Sequence, residues 1–220
     1  LRMVRVMLDG MLHPDLELLL RLDSSGLAYL LLETAAMALV GTCVGVVVAV
    51  PLSFLGSGRF FPAPVAWFFR TVVAAVRSVP SLIYGLIFIR VCGPGSFTGV
   101  LTLAVCSVGL LCKRFSEAID ALDLRSVYAL EAMGISLPAR ILHAVFPQLV
   151  PQITSGTLYR FDVNIREASV LGLAGAGGIG APLIFAMNQY AWNEVSTLAL
   201  GMIFLAWLVD LVSSNCRKIS

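Results

Sequence analysis

Polar side chains interrupt the apolar stretch 148–173, and among them are the residues best suited to bind a small charged molecule. Steps of four and three residues would place one set on a single helical face: Gln152, Gly156, Arg160, Asn164 and Glu167. Arg160 has no acidic residue three or four positions away, and its guanidinium fork fits two oxygens of an oxyanion. The pattern predicts that Arg160 contacts an anion, with Asn164 as a neutral partner. The alternative buries Arg160 against carbonyl groups or Glu167.

A second polar set would lie on a different face of the same helix: Ser155, Tyr159, Asp162, Arg166 and Ser169. Asp162 and Arg166 are four positions apart, which suits an ion pair within the helix. A charge at the centre of a bilayer costs about 2.5–3.5 kcal/mol, so a helix polar on two faces cannot turn broadly to lipid. We expect this helix to line a wet path, with Arg166 beside it, or to pack on a second subunit.

Two shorter motifs contain residues with special backbone properties. In Arg77-Ser78-Val79-Pro80, the proline removes a backbone donor and kinks a helix, giving either a plain kink or a gate that includes Arg77.

Gly175, Gly177 and Gly180 match the dinucleotide spacing GxGxxG, which needs a βαβ unit in water. Because this glycine segment is apolar, we expect instead a turn for close helix packing at an outer gate. Its candidate residues are Gly175, Gly177 and Gly178.

The composition is that of a membrane protein. Hydrophobic residues make up 59% of the 220 positions and charged residues 13%, about half the usual charged share of a soluble domain. About 20 helical residues cross a bilayer, and we expect an all-α bundle because isolated strands cannot satisfy their backbone in lipid. The expected spans are 27–50, 67–91, 97–112, 148–173 and 195–214. Since the chain begins with Leu1, a sixth helix is expected upstream.

The distribution of Lys and Arg predicts the orientation. These residues recur in the polar segment 113–147 and at Arg217-Lys218, whereas 92–99 and 171–193 contain none. The positive-inside rule therefore places 113–147 and the C-terminus in the cytoplasm and residues 1–26 outside. A net charge of +2 without basic clusters does not favour nucleic acid, and we expect no metal site.

The polar segment also resembles the cytoplasmic signature loop of ATP-binding-cassette (ABC) importer permeases. Ala129, Gly134, Phe146 and Pro147 fall in the register of that loop, with Tyr128 where the family usually has Glu. The resemblance implies two short helices bent at Gly134 that dock in a groove of an ATPase. The implied coupling residues are Tyr128, Ala129, Glu131, Ala132, Met133, Gly134, Ile135, Ser136 and Arg140.

Residues 158–166, 170–172 and 175–180 resemble more specifically the permease of phosphonate-type ABC importers. That resemblance implies a type I permease domain over 27–218 in a prokaryotic cytoplasmic membrane. It further implies a second copy of the chain, two ATPase subunits and an extracytoplasmic binding protein. ATP and Mg would be bound by the ATPase, with no cofactor in this chain, which would not be an enzyme.

Other functions compatible with the residues are an importer permease for another small solute and a secondary transporter or channel for a small anion. A channel has no need of a loop that docks a motor, and secondary transporters often contain internal repeats, which this sequence lacks. A membrane-embedded enzyme would need convergent His, Asp or Ser groups, which are not evident.

Overall fold

The computed structural model describes residues 2–21, 23 and 25–219 of the chain. These residues form helices and turns without any β-strand, as the sequence predicts. Before the bundle lie α1 (Arg2–Leu12) and α2 (Leu16–Leu20). The bundle helices are α3 (Leu27–Leu55), α4 (Ala63–Ser78), α5 (Ser81–Cys92), α6 (Ser96–Asp120), α9 (Phe146–Leu173) and α11 (Trp192–Ile219). Between them lie α7 (Arg125–Ala132), α8 (Leu137–Arg140), a π-helical turn (Ile141–Val145) and α10 (Gly180–Asn188).

Among the described helices, α3, α6 and α11 are long and apolar enough to cross a membrane, and the bent pair α4–α5 passes the same test together. Helix α9 has 28 residues, about 42 Å of rise, so it is also long enough, although its charges lower its hydropathy. The third span was expected to be short, but α6 continues to Asp120. The first residues of the segment 113–147 therefore complete a membrane helix and are not part of the loop.

The bent pair α4–α5 runs from one end of the bundle to the other. From the middle of α4, Arg70 Nε donates to the Gly56 carbonyl after α3 at 2.7 Å. Just past its end, the Gly95 N–H donates to the Gly175 carbonyl at 3.0 Å. The two helices meet at 84° across the break at Val79 and Pro80. The pair is thus one kinked crossing, and the kink expected from Pro80 is confirmed.

Asp120 joins three elements at one end of the bundle, which the Lys and Arg distribution predicts to be the inner end. Its carboxylate accepts hydrogen bonds from Ser57 Oγ at 2.8 Å and from Arg70 at 2.6 Å, and its carbonyl accepts from Arg59. Because the Arg70 and Asp120 side chains are each a third or more exposed, the pair itself contributes little stability. It does fix where α4 leaves the loop after α3.

The pair α3 and α6 forms the centre of the bundle, and glycine makes their close approach possible. A Cβ on Gly41 would lie 2.7 Å from the Cβ of Leu103, and a Cβ on Gly45 would overlap the Cβ of Ser107. Small residues spaced four apart let membrane helices approach backbone to backbone. The same stripe of α3 also contains the buried residues Ala38, Thr42 and Ala49.

We predict that Gly45→Val destabilises the protein by about 1–3 kcal/mol, because the added methyl groups overpack this contact. Gly58→Val is the matched control, since nothing lies within 4 Å of its Cβ position. The measurement is thermal or chemical unfolding of the purified protein in detergent. Equal stability of the two variants would contradict the close packing of α3 on α6.

The orientation is testable with single cysteines in a background from which all five native cysteines have been removed. Arg125→Cys lies in the polar segment, where the native side chain is 94% exposed, and Asn188→Cys lies at the exposed end of α10. We expect a membrane-impermeant reagent to label position 188 from outside and position 125 only from inside. Labelling of both from the same side would contradict the topology.

Candidate functional site

A buried polar cluster joins the three central helices. Asn164 of α9 is fully buried, and its Nδ2 donates to Thr42 Oγ1 of α3 at 2.7 Å and to Ser107 Oγ of α6 at 2.9 Å. Thr42 and Ser107 in turn donate to carbonyls of their own helices. Asn164 therefore connects three helices within the bundle, and its predicted place beside an anion stays a prediction.

Arg160 belongs to the same cluster. Its Nε donates to Ser107 Oγ at 3.0 Å, and its Nη1 and Nη2 reach the two carboxylate oxygens of Glu167 at 3.4 and 3.0 Å. The Arg160 side chain is only 3% exposed. The alternative pairing with Glu167 is what the structure shows, and the contact of Arg160 with an anion stays a prediction. Seven residues span about 10.5 Å of helix, which these two long side chains bridge along one face.

The exposed polar face of α9 combines Tyr159 and Arg166 of the second set with Gln152 of the first, whereas Asp162 and Ser169 of the second set are buried. Gln152, Tyr159 and Arg166 are exposed along it. Arg166 forms the expected ion pair with Asp162, through two hydrogen bonds of 2.8 and 2.7 Å. Asp162 is nearly buried while the Arg166 side chain is 53% exposed. A polar stripe on the outside of a membrane helix is costly against lipid, so this is the face that a wet path or a second subunit would cover.

Arg114 of α6 lies beside this stripe, and sequence reasoning missed it. Its guanidinium carbon is 4.6 Å from the centre of the Tyr159 ring, which is the geometry of a cation–π contact. The sequence placed Arg114 in a cytoplasmic loop because charges cluster after Cys112. The uninterrupted run from Ser96 without Gly-Pro or Asn-Gly breaks was the signal that the helix continues.

Two cavities meet at Arg114 between α6 and α9. The larger, of about 430 Å³, also reaches Glu117, Asp123, Gln148 and Gln152. The smaller, of about 90 Å³, is lined by Arg114, Ser155 and Gly156 among others. Because Asp123 lies in the polar segment and Gln148 directly follows it, the larger cavity opens at the predicted inner end of the bundle.

Arg77 and Pro80 lie away from that stripe. Arg77 is exposed and lines a cavity of about 350 Å³ between α4 and α6, together with Arg70, Lys113 and Asp120. Its Cγ packs against the Gly109 position of α6. Pro80 begins α5 at the kink. The gating role of the two residues stays a prediction.

The glycine turn after α9 packs against the ends of α3 and α6. Gly175, Gly177 and Gly178 have φ angles of +99°, +83° and +68°, which L-residues rarely adopt. A Cβ on Gly177 would lie 2.8 Å from the backbone nitrogen of Ser96, and one on Gly178 would lie 2.8 Å from Thr34 Oγ1. The expected close packing is therefore present. Because α9 precedes this turn, the strand that a dinucleotide fingerprint requires is absent there.

The segment after α6 presents an exposed surface built around Gly134. Helix α7 ends with the Ile135 N–H bonded to the Leu130 carbonyl at 3.1 Å and the Gly134 N–H bonded to the Glu131 carbonyl at 2.9 Å. This Schellman arrangement needs a left-handed residue, and Gly134 supplies it at φ +76°. Glu131 pairs with Arg140 at 2.7 Å, which holds α7 against α8. The bend predicted at Gly134 is confirmed.

Apolar side chains project from this bend. Tyr128, Met133 and Leu137 are 60%, 66% and 43% exposed, and Ala129, Ala132 and Ser136 lie exposed between them. Ile135 is half-buried, and Val127 on the opposite side of α7 packs in the core. The arrangement gives the segment one face anchored to the bundle and one face free to contact another protein.

Residues 41–219 match a family described as binding-protein-dependent transport system inner membrane component. The phosphite transport system permease protein PtxC of Stutzerimonas stutzeri is 38% identical over 189 residues, 86% of this chain and 69% of that protein. The phosphate-import permease protein PhnE of Mycolicibacterium smegmatis is 35% identical over 218 residues, 97% of this chain and 39% of that protein. The chain therefore spans well under half the length of the second relative.

The solved structures most useful for comparison share the fold. A chain of the MetNI methionine ABC transporter in an inward facing conformation superposes with a TM-score of 0.75 at 19% identity, covering 88% of this chain and 95% of that one. A chain of an amino acid ABC transporter gives 0.70 at 14% identity, covering 99% and 95%. At these identities the likeness concerns the fold alone.

Proposed function

This chain belongs to the family of binding-protein-dependent transport system inner membrane components, and we propose that it carries phosphonate or a related phosphorus oxyanion, such as phosphite or phosphate, across the cytoplasmic membrane. The family and the type I permease fold make it the membrane-spanning permease of an ABC importer. The observation that carries the substrate class is the 38% identity with a phosphite permease over 86% of the chain. A choline permease of Bacillus subtilis is only 22% identical.

The surface around Gly134 is proposed to dock an ATPase subunit that binds ATP and Mg. Its exposed apolar side chains, Tyr128, Met133 and Leu137, would enter a groove of that subunit, while the Glu131–Arg140 pair would make α7 and α8 move as one piece. ATP-driven closure of two ATPase subunits would then displace the inner ends of the bundle. The energy for transport enters through this surface.

The exposed polar stripe of α9 is proposed to face the translocation path at an interface with a second copy of the chain. The stripe contains neutral and paired groups, among them Gln152, Tyr159 and the Asp162–Arg166 pair. Pairing two copies would remove this stripe from lipid. A soluble binding protein would deliver the anion at the opposite end of the bundle, beside the glycine turn.

The test is uptake by the complete complex, reconstituted in vesicles with its ATPase and binding protein. We expect ATP-dependent uptake of labelled phosphite, methylphosphonate or phosphate, and none of choline or methionine. Transport of choline or methionine with no uptake of any phosphorus oxyanion would overturn the proposed substrate class. Uptake of an oxyanion without ATP, by this chain alone, would instead favour a channel or secondary transporter.

A further inference from the structure

Arg114 differs from the other cations near the α6–α9 seam because no described residue forms an ion pair with it. Lys113 pairs with Glu117 at 3.4 Å, and Arg125 lies 3.9 Å from Asp123. Those two carboxylates are the acidic groups of the larger cavity, and each has its own cation. The cavity lining itself contains Arg114 and the two carboxylates, while Lys113 and Arg125 lie outside it. Counted together, these three cations and two carboxylates leave one positive charge, and Arg114 is the cation without an acidic partner among the described residues.

The contact with Tyr159 fixes how that charge is presented. The Arg114 guanidinium carbon lies over the Tyr159 ring, and no described residue accepts a hydrogen bond from the Arg114 side chain, so its N–H groups can donate to a ligand. Two parallel N–H groups match two oxygens of a tetrahedral oxyanion. Arg114 is exposed, and Ser155 and Gln152 line the adjoining cavities with neutral hydrogen-bonding groups.

The position of Arg114 suits a site within the inner half of the bundle. It precedes the end of α6 by six residues, which is about 9 Å of helix, and the larger cavity leads from it to the polar segment. Removing water from one side of the site strengthens the attraction between the guanidinium and an anion. The site also releases its ligand easily, because the cavity opens towards the inner end.

We propose that Arg114, positioned by Tyr159 and flanked by Gln152 and Ser155, is an anion-binding site through which the phosphorus oxyanion leaves the path on the inner side. The inference rests on the proposed function for the chemical class of the ligand. It replaces Arg160, whose guanidinium is already held by Glu167, as the cation that meets the anion.

The test compares variants of the complete complex in vesicles, with labelled phosphite as the probe. Arg114→Gln is expected to lower phosphite uptake at least tenfold while ATP hydrolysis stimulated by the binding protein continues, so that less phosphite moves per ATP. Arg114→Lys keeps the charge without the fork and should retain an intermediate rate. Tyr159→Leu removes the ring and should lower phosphite uptake three- to tenfold, and Tyr159→Phe, which keeps the ring, should lower it less than Tyr159→Leu does.

Arg90→Gln is the matched control, since Arg90 is an exposed arginine at the opposite end of the bundle and should transport at the wild-type rate. Normal uptake by Arg114→Gln alongside an active wild type would overturn the site. Failure of the Arg114→Gln complex to assemble would also overturn the anion site, because it would show that Arg114 stabilises a contact between subunits. A wild type that hydrolyses ATP but moves no phosphorus oxyanion would instead refute the proposed function.

A lipid phosphate offers the same chemistry as the transported anion, and the vesicle composition separates the two sources. The uptake defect of Arg114→Gln should be the same in phosphatidylcholine vesicles and in vesicles that also contain phosphatidylglycerol. A defect that appears only with the anionic lipid would show that Arg114 binds a headgroup, and would overturn its role in transport.

Discussion

Replacing Glu167 by glutamine is expected to destabilise the protein by about 3–5 kcal/mol, the usual cost of removing one partner of a buried ion pair. The change leaves the Arg160 guanidinium charged at 3% side-chain exposure, and arginine cannot lose its proton inside a protein. Arg160→Gln should cost less, because the Glu167 side chain that loses its partner is 28% exposed, against 3% for Arg160. Thermal unfolding and gel filtration of the purified protein measure both.

The double variant Arg160→Met with Glu167→Gln removes both charges and should recover most of the loss, because two neutral side chains leave no uncompensated charge. Asp162→Asn is the matched control on the same helix, since it breaks a pair whose arginine is 53% exposed and can turn to a polar surface. Equal losses from Glu167→Gln and Asp162→Asn would contradict the structural role of the buried pair. If Arg160→Gln instead has normal stability but no transport, Arg160 acts in the translocation path.

Gly134→Arg is expected to lower transport at least tenfold in a chain that still inserts and assembles. An L-residue in the left-handed conformation costs about 1–2 kcal/mol, and the long side chain would project from the surface formed by Tyr128, Met133 and Leu137. Nothing lies within 4 Å of its Cβ position, so the bundle itself has room for the change. The measurement is substrate uptake and ATP hydrolysis by reconstituted complexes.

Gly134→Asn distinguishes an effect of backbone strain from an effect of blocking the docking surface. Asparagine tolerates the left-handed region and has a short side chain, so this variant should keep most of the transport activity. Gly58→Arg is the control for adding a charge at another exposed glycine with open space around it, and should transport normally. Tightly coupled transport by Gly134→Arg would show that this surface is not where the ATPase docks.

Features set by neighbouring residues along the chain were predictable from the sequence. Proline chemistry was enough to expect the break at Pro80, the left-handed bend needed only Gly134, and the Asp162–Arg166 pair followed from four-residue spacing. The resemblance to the signature loop of a permease likewise depended on the spacing of residues that are close in sequence. Each of these is fixed within one or two helical turns.

The rotation of each helix about its axis was not predictable, because it depends on which neighbours pack around it. Two polar faces of α9 looked equivalent in sequence, yet Asn164 and Arg160 face the interior, where Thr42 and Ser107 supply hydroxyls. The contact between Arg114 and Tyr159 depends on the same packing, with 44 residues of intervening chain. Lys113 to Asp120 looked like a loop because charge alone does not reveal where a helix ends.

Both ion pairs of α9 are formed within that helix, Arg160 with Glu167 and Asp162 with Arg166. The stretch from 160 to 167 therefore carries two positive and two negative charges that cancel without help from another helix. During biosynthesis, α9 can leave the insertion machinery as an electrically neutral segment, since the helix alone brings each pair together. Had the partners been on different helices, each would have entered lipid as a bare charge at about 2.5–3.5 kcal/mol. The bundle then needs to add only the hydroxyl groups of Thr42 and Ser107.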